Sequence, residues 1–178
     1  MILHVETVEF TRVLRIDRPE KLGALSTELI TALGEQFALL ARDRAIRSVV
    51  LTGTGRGFIA GADIEEYATA SREEFVEYTQ FSRRVFESLA DLPQVTIAAV
   101  NGYAFGGGFE LALCCDVILA AESAKFGLPE VKLGLVPGGG GLLRLADAAG
   151  TRWAKEVILS GRTVSSSEAH GRGILTEV

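Results

Sequence analysis

The chain has 178 residues, 48% of them hydrophobic, and a formal net charge of -5 at pH 7. That length fits one domain, residues 1–178 as a single unit, and the hydrophobic share supports a sizeable core and excludes wholesale disorder. The acidic balance argues against nucleic acid or an anionic membrane surface as partner, because both attract basic surfaces.

In chain order, "VETVEF" and "TRVLRID" read as two strands joined at a tight turn, and Pro19 opens the loop "RPEKLGAL". A helix is expected from Ser26, a good N-cap, with Leu29, Leu33, Phe37 and Leu40 as its apolar stripe. "SVVLTG" reads as a short apolar strand and runs into the glycine-rich "GTGRGFIAGAD". Ser71 and Glu74 have capping-box spacing at the head of a long helix, whose buried face is Phe75, Tyr78, Val85, Phe86 and Leu89. "VTIAAV" and "DVILAA" read as strands covered on both faces. Ser165 and Glu168 repeat the capping spacing before a short helix, and "GILTEV" reads as a final strand. Strands alternate with helices, so the fold class is α/β.

The N-terminal "MILHVETVEF" carries Glu6 and Glu9 and lacks a basic-then-apolar signal pattern. No apolar run reaches membrane-spanning length, since Glu110 and Asp116 interrupt the longest. Cys114 and Cys115 are adjacent, with the spacing of neither a disulfide framework nor a metal site, so no metal and a reducing, cytoplasmic setting are expected. His4 and His170 lie outside any nucleophile motif, which leaves a Ser-His-Asp relay without a base. "GTGRGF" lacks dinucleotide-fingerprint spacing, and no Gly-Lys-Ser/Thr follows any glycine run. For "VPGGGGLLRL" a turn before a helix is sufficient explanation.

Two stretches call for more. Gly106, Gly107 and Gly108 lie between a buried strand and the apolar helix "FELALCC". Unpaired N–H groups at that helix start suit an anion, or an oxygen that becomes negative during a reaction. Ala60, Gly61 and Ala62 offer a second small-residue approach, so two backbone donors from two loops would form an oxyanion hole. Glu110 is one helical turn past Gly107, and Glu130, after Pro129, is a second poorly solvated carboxylate. Such acids serve as general acid and general base. The alternative is that Glu110 pairs with an arginine and Glu130 is a surface strand residue.

Five strings in order, "DRPEKLGALS", "VVLTGTGRGFIAGADI", "VTIAAVNGYAFGGGFELALCCD", "FGLPEVKLGLVPGGGGLLRL" and "SGRTVSSSEAHGRG", resemble the enoyl-CoA hydratase/isomerase (crotonase) family over essentially the whole chain. The resemblance implies a right-handed spiral of ββα units, with C-terminal helices that build trimers, often paired into hexamers, and that this chain lacks. It implies that "RPEKLGA" and "AGADI", through Ala24, Ala60, Asp63 and Ile64, embrace the coenzyme A part of an acyl-CoA. It implies that the N–H groups of Ala62 and Gly107 hold the thioester oxygen, and that Gly138 helps to place a water. No cofactor is implied beyond the coenzyme A of the substrate.

Within the family, hydratases keep acids at both positions matched by Glu110 and Glu130. The implied reaction is syn hydration of a 2-enoyl-CoA, with Glu110 deprotonating water and Glu130 supplying a proton to the α-carbon. A double-bond isomerase using Glu130 alone, and a non-catalytic CoA-binding or oligomerising scaffold, are the alternatives. The chain departs from the family pattern at Gly23, where asparagine is usual and a looser adenine loop is expected. It departs again at Glu65, where lysine is common and a phosphate contact is lost, and at Leu142 and Leu143. Ile64, Tyr67 and Phe75 are candidate acyl-pocket residues, though core packing explains them equally well.

Overall fold

The structure, a computed structural model, describes residues 2–178, the side chain of Tyr67 excepted. β1 (Leu3–Val8) and β2 (Thr11–Ile16) form the expected hairpin, turned at Glu9 with φ 52°. β2 then pairs in parallel with β3 (Ser48–Gly53), β3 with β5 (Val95–Val100), and β5 with β7 (Val117–Ala120). A second, four-stranded sheet takes β4 (Gly57–Ile59), β6 (Tyr103–Phe105), β8 (Lys125–Gly127) and β9 (Val164–Ser165). β3, β5 and β7 of the first sheet are thus each followed by a short strand of the second, and then by helix. That repeat is the expected ββα spiral.

Polar side chains stitch successive turns together. Asn101, between β5 and β6, accepts from the Gly53 N–H at 3.0 Å and donates to the Gly55 and Gly57 carbonyls. The Asp116 carboxylate accepts from the Thr96 N–H and hydroxyl at 2.8 and 2.9 Å, joining the head of β7 to β5.

α1 (Thr27–Leu40) starts where Ser26 Oγ accepts from the Leu29 N–H, and Leu29, Leu33, Phe37 and Leu40 are buried as their spacing predicts. α3 (Arg72–Ala90) carries both halves of the capping box. Val85, Phe86 and Leu89 are buried, while Phe75 and Tyr78 are half-buried. α2 (Ile64–Tyr67) and α4 (Gly107–Ala112) are short, and α5 (Gly141–Ala149) and α6 (Thr151–Ser160) follow each other closely. α7 (Ser166–Gly171) is capped by Ser165, but the Glu168 carboxylate turns to Arg162 and the Trp153 indole instead of closing a box.

The expected last strand, "GILTEV", is corrected. Only Glu177 bridges Leu119, beside β7. Ile174 and Leu175 are both buried, so neighbouring side chains do not alternate between two faces as a strand requires.

Candidate active site

β6 ends at Gly106, whose φ of 50° and ψ of -125° is a conformation that only glycine adopts freely. A β-carbon there would lie 3.1 Å from Glu130 Oε1 and 3.8 Å from the Gly61 Cα. Gly106 is therefore the point where three segments meet. At Gly108 a β-carbon would fall 2.0 Å from the Ile59 carbonyl oxygen, so α4 sits directly against β4.

This packing sets the loop at Gly61 beside the start of α4. Gly107 opens α4, where the helix offers its N–H no acceptor. Leu25 donates to the Gly61 carbonyl and accepts from the Asp63 N–H, both at 2.8 Å. In such a parallel bridge the flanking residues make the bonds, so the N–H of Ala62 faces the opposite way. Among the described residues neither N–H has a hydrogen-bond partner.

Glu110 is one turn along α4 and only 3% exposed. Its Oε1 accepts from the N–H groups of Gly139 and Gly141, each at 2.8 Å. No arginine pairs with it among the described residues, so the structural alternative fails for this residue. Burial pushes its carboxyl above the usual range, and the two N–H bonds hold it back. The glycine run is more than a turn. A β-carbon at Gly141 would lie 2.8 Å from Glu110 Cγ, and one at Gly139 would lie 2.6 Å from the Phe86 ring.

Glu130 stands on a 3-10 turn, Pro129–Leu133, and not on a strand. Its Oε2 is buried with no partner among the described residues. Desolvation pushes its carboxyl up to about 7, opposed by its own backbone N–H and reinforced by the charge of Glu110. The two acids thus differ in a chemically useful way. One is held by donors that favour its charged form, and the other keeps its proton near neutrality.

The site residues on the flanking loops fall into two groups. Ala24 and Ala60 are half-buried and Ile64 is 58% exposed. Asp63, by contrast, is buried, and its Oδ2 accepts from Arg18 Nη2 at 2.9 Å, while Arg18 Nη1 donates to the Ala24 carbonyl. Asp63 ties the two loops together. At Gly23 φ is 74° and a β-carbon would meet the Phe58 carbonyl oxygen at 2.4 Å, so this loop packs closely against β4. Glu65 pairs with Lys21 at 2.6 Å.

Gly138 is exposed and is not among the donors to Glu110. The donors are Gly139 and Gly141, which the sequence reading left as turn residues. Their signal was the unbroken glycine run after Pro137. Phe75 is half-buried on α3, and the side chain of Tyr67 lies outside the described residues.

Among the described residues no group of His, Cys, Asp and Glu is arranged to hold a metal. Burial pushes the Cys114 thiol up to about 11 and the Cys115 thiol higher still, which keeps both unreactive. His4 is bonded to Asp17, far from the two glutamates in the fold. No helix is long and apolar enough to cross a membrane among the described residues.

Known proteins share this fold. A family model described as enoyl-CoA hydratase/isomerase matches residues 9–178. The chain is 40% identical over 174 residues to "Probable enoyl-CoA hydratase echA8" of Mycobacterium bovis, covering 98% of this chain and 67% of that protein. It is 42% identical over 167 residues to the mitochondrial methylglutaconyl-CoA hydratase of Homo sapiens, covering 93% of this chain but 49% of that protein. The crystal structure of an enoyl-CoA hydratase from Bacillus anthracis superposes with a TM-score of 0.97 at 37% identity, over 100% of this chain and 70% of that one. The chain thus spans about half to two thirds of the length of these curated relatives.

Proposed function

We propose, from the premise that the chain belongs to the enoyl-CoA hydratase/isomerase family, that it adds water across the double bond of a 2-enoyl-CoA to give a 3-hydroxyacyl-CoA. The observation that carries this reading is the contrast between Glu110, anchored by two N–H groups, and Glu130, protonated to about pH 7.

The N–H groups of Ala62 and Gly107 receive the thioester oxygen and stabilise the enolate that develops on it. Oε1 of Glu110 is occupied by Gly139 and Gly141, so the other oxygen takes the proton from water. The hydroxide adds to the β-carbon, and the electron pair of the double bond moves into the enolate. Glu130 then gives its proton to the α-carbon. Water is consumed, and the thioester stays intact. Ala24, Ala60 and Ile64 line the coenzyme A side in this reading, Asp63 fixes the loops, and Gly138 borders the water. No cofactor is needed beyond the coenzyme A of the substrate.

A homotrimer or hexamer, and a cytoplasmic location, complete the proposal. Its oligomeric part is supported by the exposed apolar side chains of Leu133, Val136 and Leu143 beside the site, at 59%, 70% and 72% exposure. The test is the loss of conjugated-enoyl absorbance on addition of a short 2-enoyl-CoA. Glu110→Gln and Glu130→Gln should each slow it by on the order of 10²–10⁴-fold. The orphaned Glu130 carboxyl also fits an isomerase, and an unimpaired Glu110→Gln protein would favour that reading.

A further inference from the structure

β1 is an outer strand of the five-stranded sheet, and its far side meets no other strand among the described residues. The opposite edge, β7, is bridged at Leu119 by Glu177, and the edge strands of the second sheet, β4 and β9, have only three and two residues. β1 has six residues in unbroken register with β2, and no proline, lysine or bulge blunts it. The Asp17 N–H donates to the Ile2 carbonyl, one step beyond the Leu3–Ile16 pair. Bonds to β2 therefore come from His4, Glu6 and Val8, while the N–H and carbonyl groups of Leu3, Val5 and Thr7 point to the open side. Those outward groups have no partner among the described residues.

The side chains of the strand select what fits there. His4 and Glu6 are exposed, and so is Val5, at 42%. One ring nitrogen of His4 bonds to Asp17 at 2.8 Å; the other nitrogen and the Glu6 carboxylate are unengaged among the described residues. An antiparallel copy of β1 fits this edge best in one register. Centred on His4, the two imidazoles oppose each other; centred on Glu6, two carboxylates do, which is unfavourable. Centred on Val5, each His4 faces Glu6 of the partner subunit, and every outward N–H and carbonyl of Leu3, Val5 and Thr7 finds its complement. We propose that β1 is a docking edge for a second copy of this chain, the two strands pairing antiparallel about a two-fold axis at Val5. The sheet then runs on from one molecule into the next, through one self-complementary surface. The contact shares no residue with the candidate active site or with the apolar side chains beside it, so it stands apart from the hydratase reading.

Sedimentation equilibrium of the whole chain, from about 1 µM to 1 mM, follows the pairing, since so small a contact is weak. The average mass should rise across this range. Val5→Pro deletes the central outward N–H and spares the bonds to β2, a position where an edge strand accepts proline. It should weaken association at least about tenfold while urea unfolding stays cooperative. A charge cycle reads the register without the proline. Glu6→Lys and His4→Glu should each weaken association about three- to tenfold, and the double variant should recover it. Val5→Cys should form a disulfide with its own copy under mild oxidation, because paired Cα atoms there are about 5.5 Å apart. Thr7→Cys, with its copies about 14 Å apart along the strands, should not. No gain in mass by the wild-type chain, association that Val5→Pro leaves unchanged, a double charge variant that fails to recover, or cross-linking at Thr7 as ready as at Val5 overturns the proposal.

Discussion

The N–H of Gly141 donates to Glu110 Oε1 at 2.8 Å, and a β-carbon on Gly141 would lie 2.8 Å from Glu110 Cγ. One residue thus anchors the carboxylate and, by having no side chain, makes room for it. Gly141→Ala should push Glu110 off its anchor. A displacement near 1 Å in a reacting group costs on the order of 10²-fold in rate, so kcat for enoyl-CoA hydration should drop by about that factor. The added methyl should also lower stability by about 1–3 kcal/mol, measured by urea unfolding.

Glu130 makes stability depend on pH in an unusual direction. Its folded carboxyl titrates at about 7 against an ordinary value of 4.5, so between these values the folded chain holds a proton that the unfolded chain has released. The stabilisation is fully present below the unfolded value and is lost as pH rises through 7. At about 1.4 kcal/mol per unit, and discounted for partial exposure, the loss is roughly 2 kcal/mol. Glu130→Gln should abolish it. Unfolding of both proteins at pH 5 and pH 8.5 should show the variant gaining ground only at the higher pH.

The same titration should shape the rate. In the proposed reaction Glu130 must be protonated to supply the α-carbon, so kcat/KM should fall above about pH 7, approaching tenfold per unit. A pH–rate profile from 5 to 9 checks this. The alkaline limb should persist in the residual activity of Glu110→Gln and disappear in Glu130→Gln.

Asp63 and Arg18 hold the two flanking loops together with little exposure, 9% and 14% for their side chains. Asp63→Ala leaves a guanidinium without its counter-charge in a confined place. It should cost about 3 kcal/mol in urea unfolding and raise KM for the coenzyme A ester more than it lowers kcat. Asp63→Asn, which retains an acceptor oxygen, should lose less on both measures.

Much of the spiral was legible because its signals are local. Ser26 and Ser71 cap the helices they introduce, and the apolar stripe from Leu29 to Leu40 is buried as its period requires. The close approach of the Gly61 loop to the start of α4 was also readable, since small residues leave room for it. The partners of Glu110 were not. They lie 29 and 31 positions further on, and nothing in "PGGGGLL" distinguishes a turn from a pair of donors aimed at a distant carboxylate. The setting of Glu130 was hidden for a different reason. "PEVKL" is too short to show a period, so strand and 3-10 turn looked alike until its neighbours were in place.

A β-carbon on Gly106 would meet both the Glu130 carboxylate and the Gly61 backbone. Gly61, the start of α4 and Glu130 belong to three successive windings of the chain, and the candidate site draws on all of them. In the proposed reaction a half-formed spiral is therefore chemically silent, whatever secondary structure it holds. Catalytic recovery after dilution from denaturant is a clock for the docking of the last winding, and it runs no faster than the slowest long-range strand pairing.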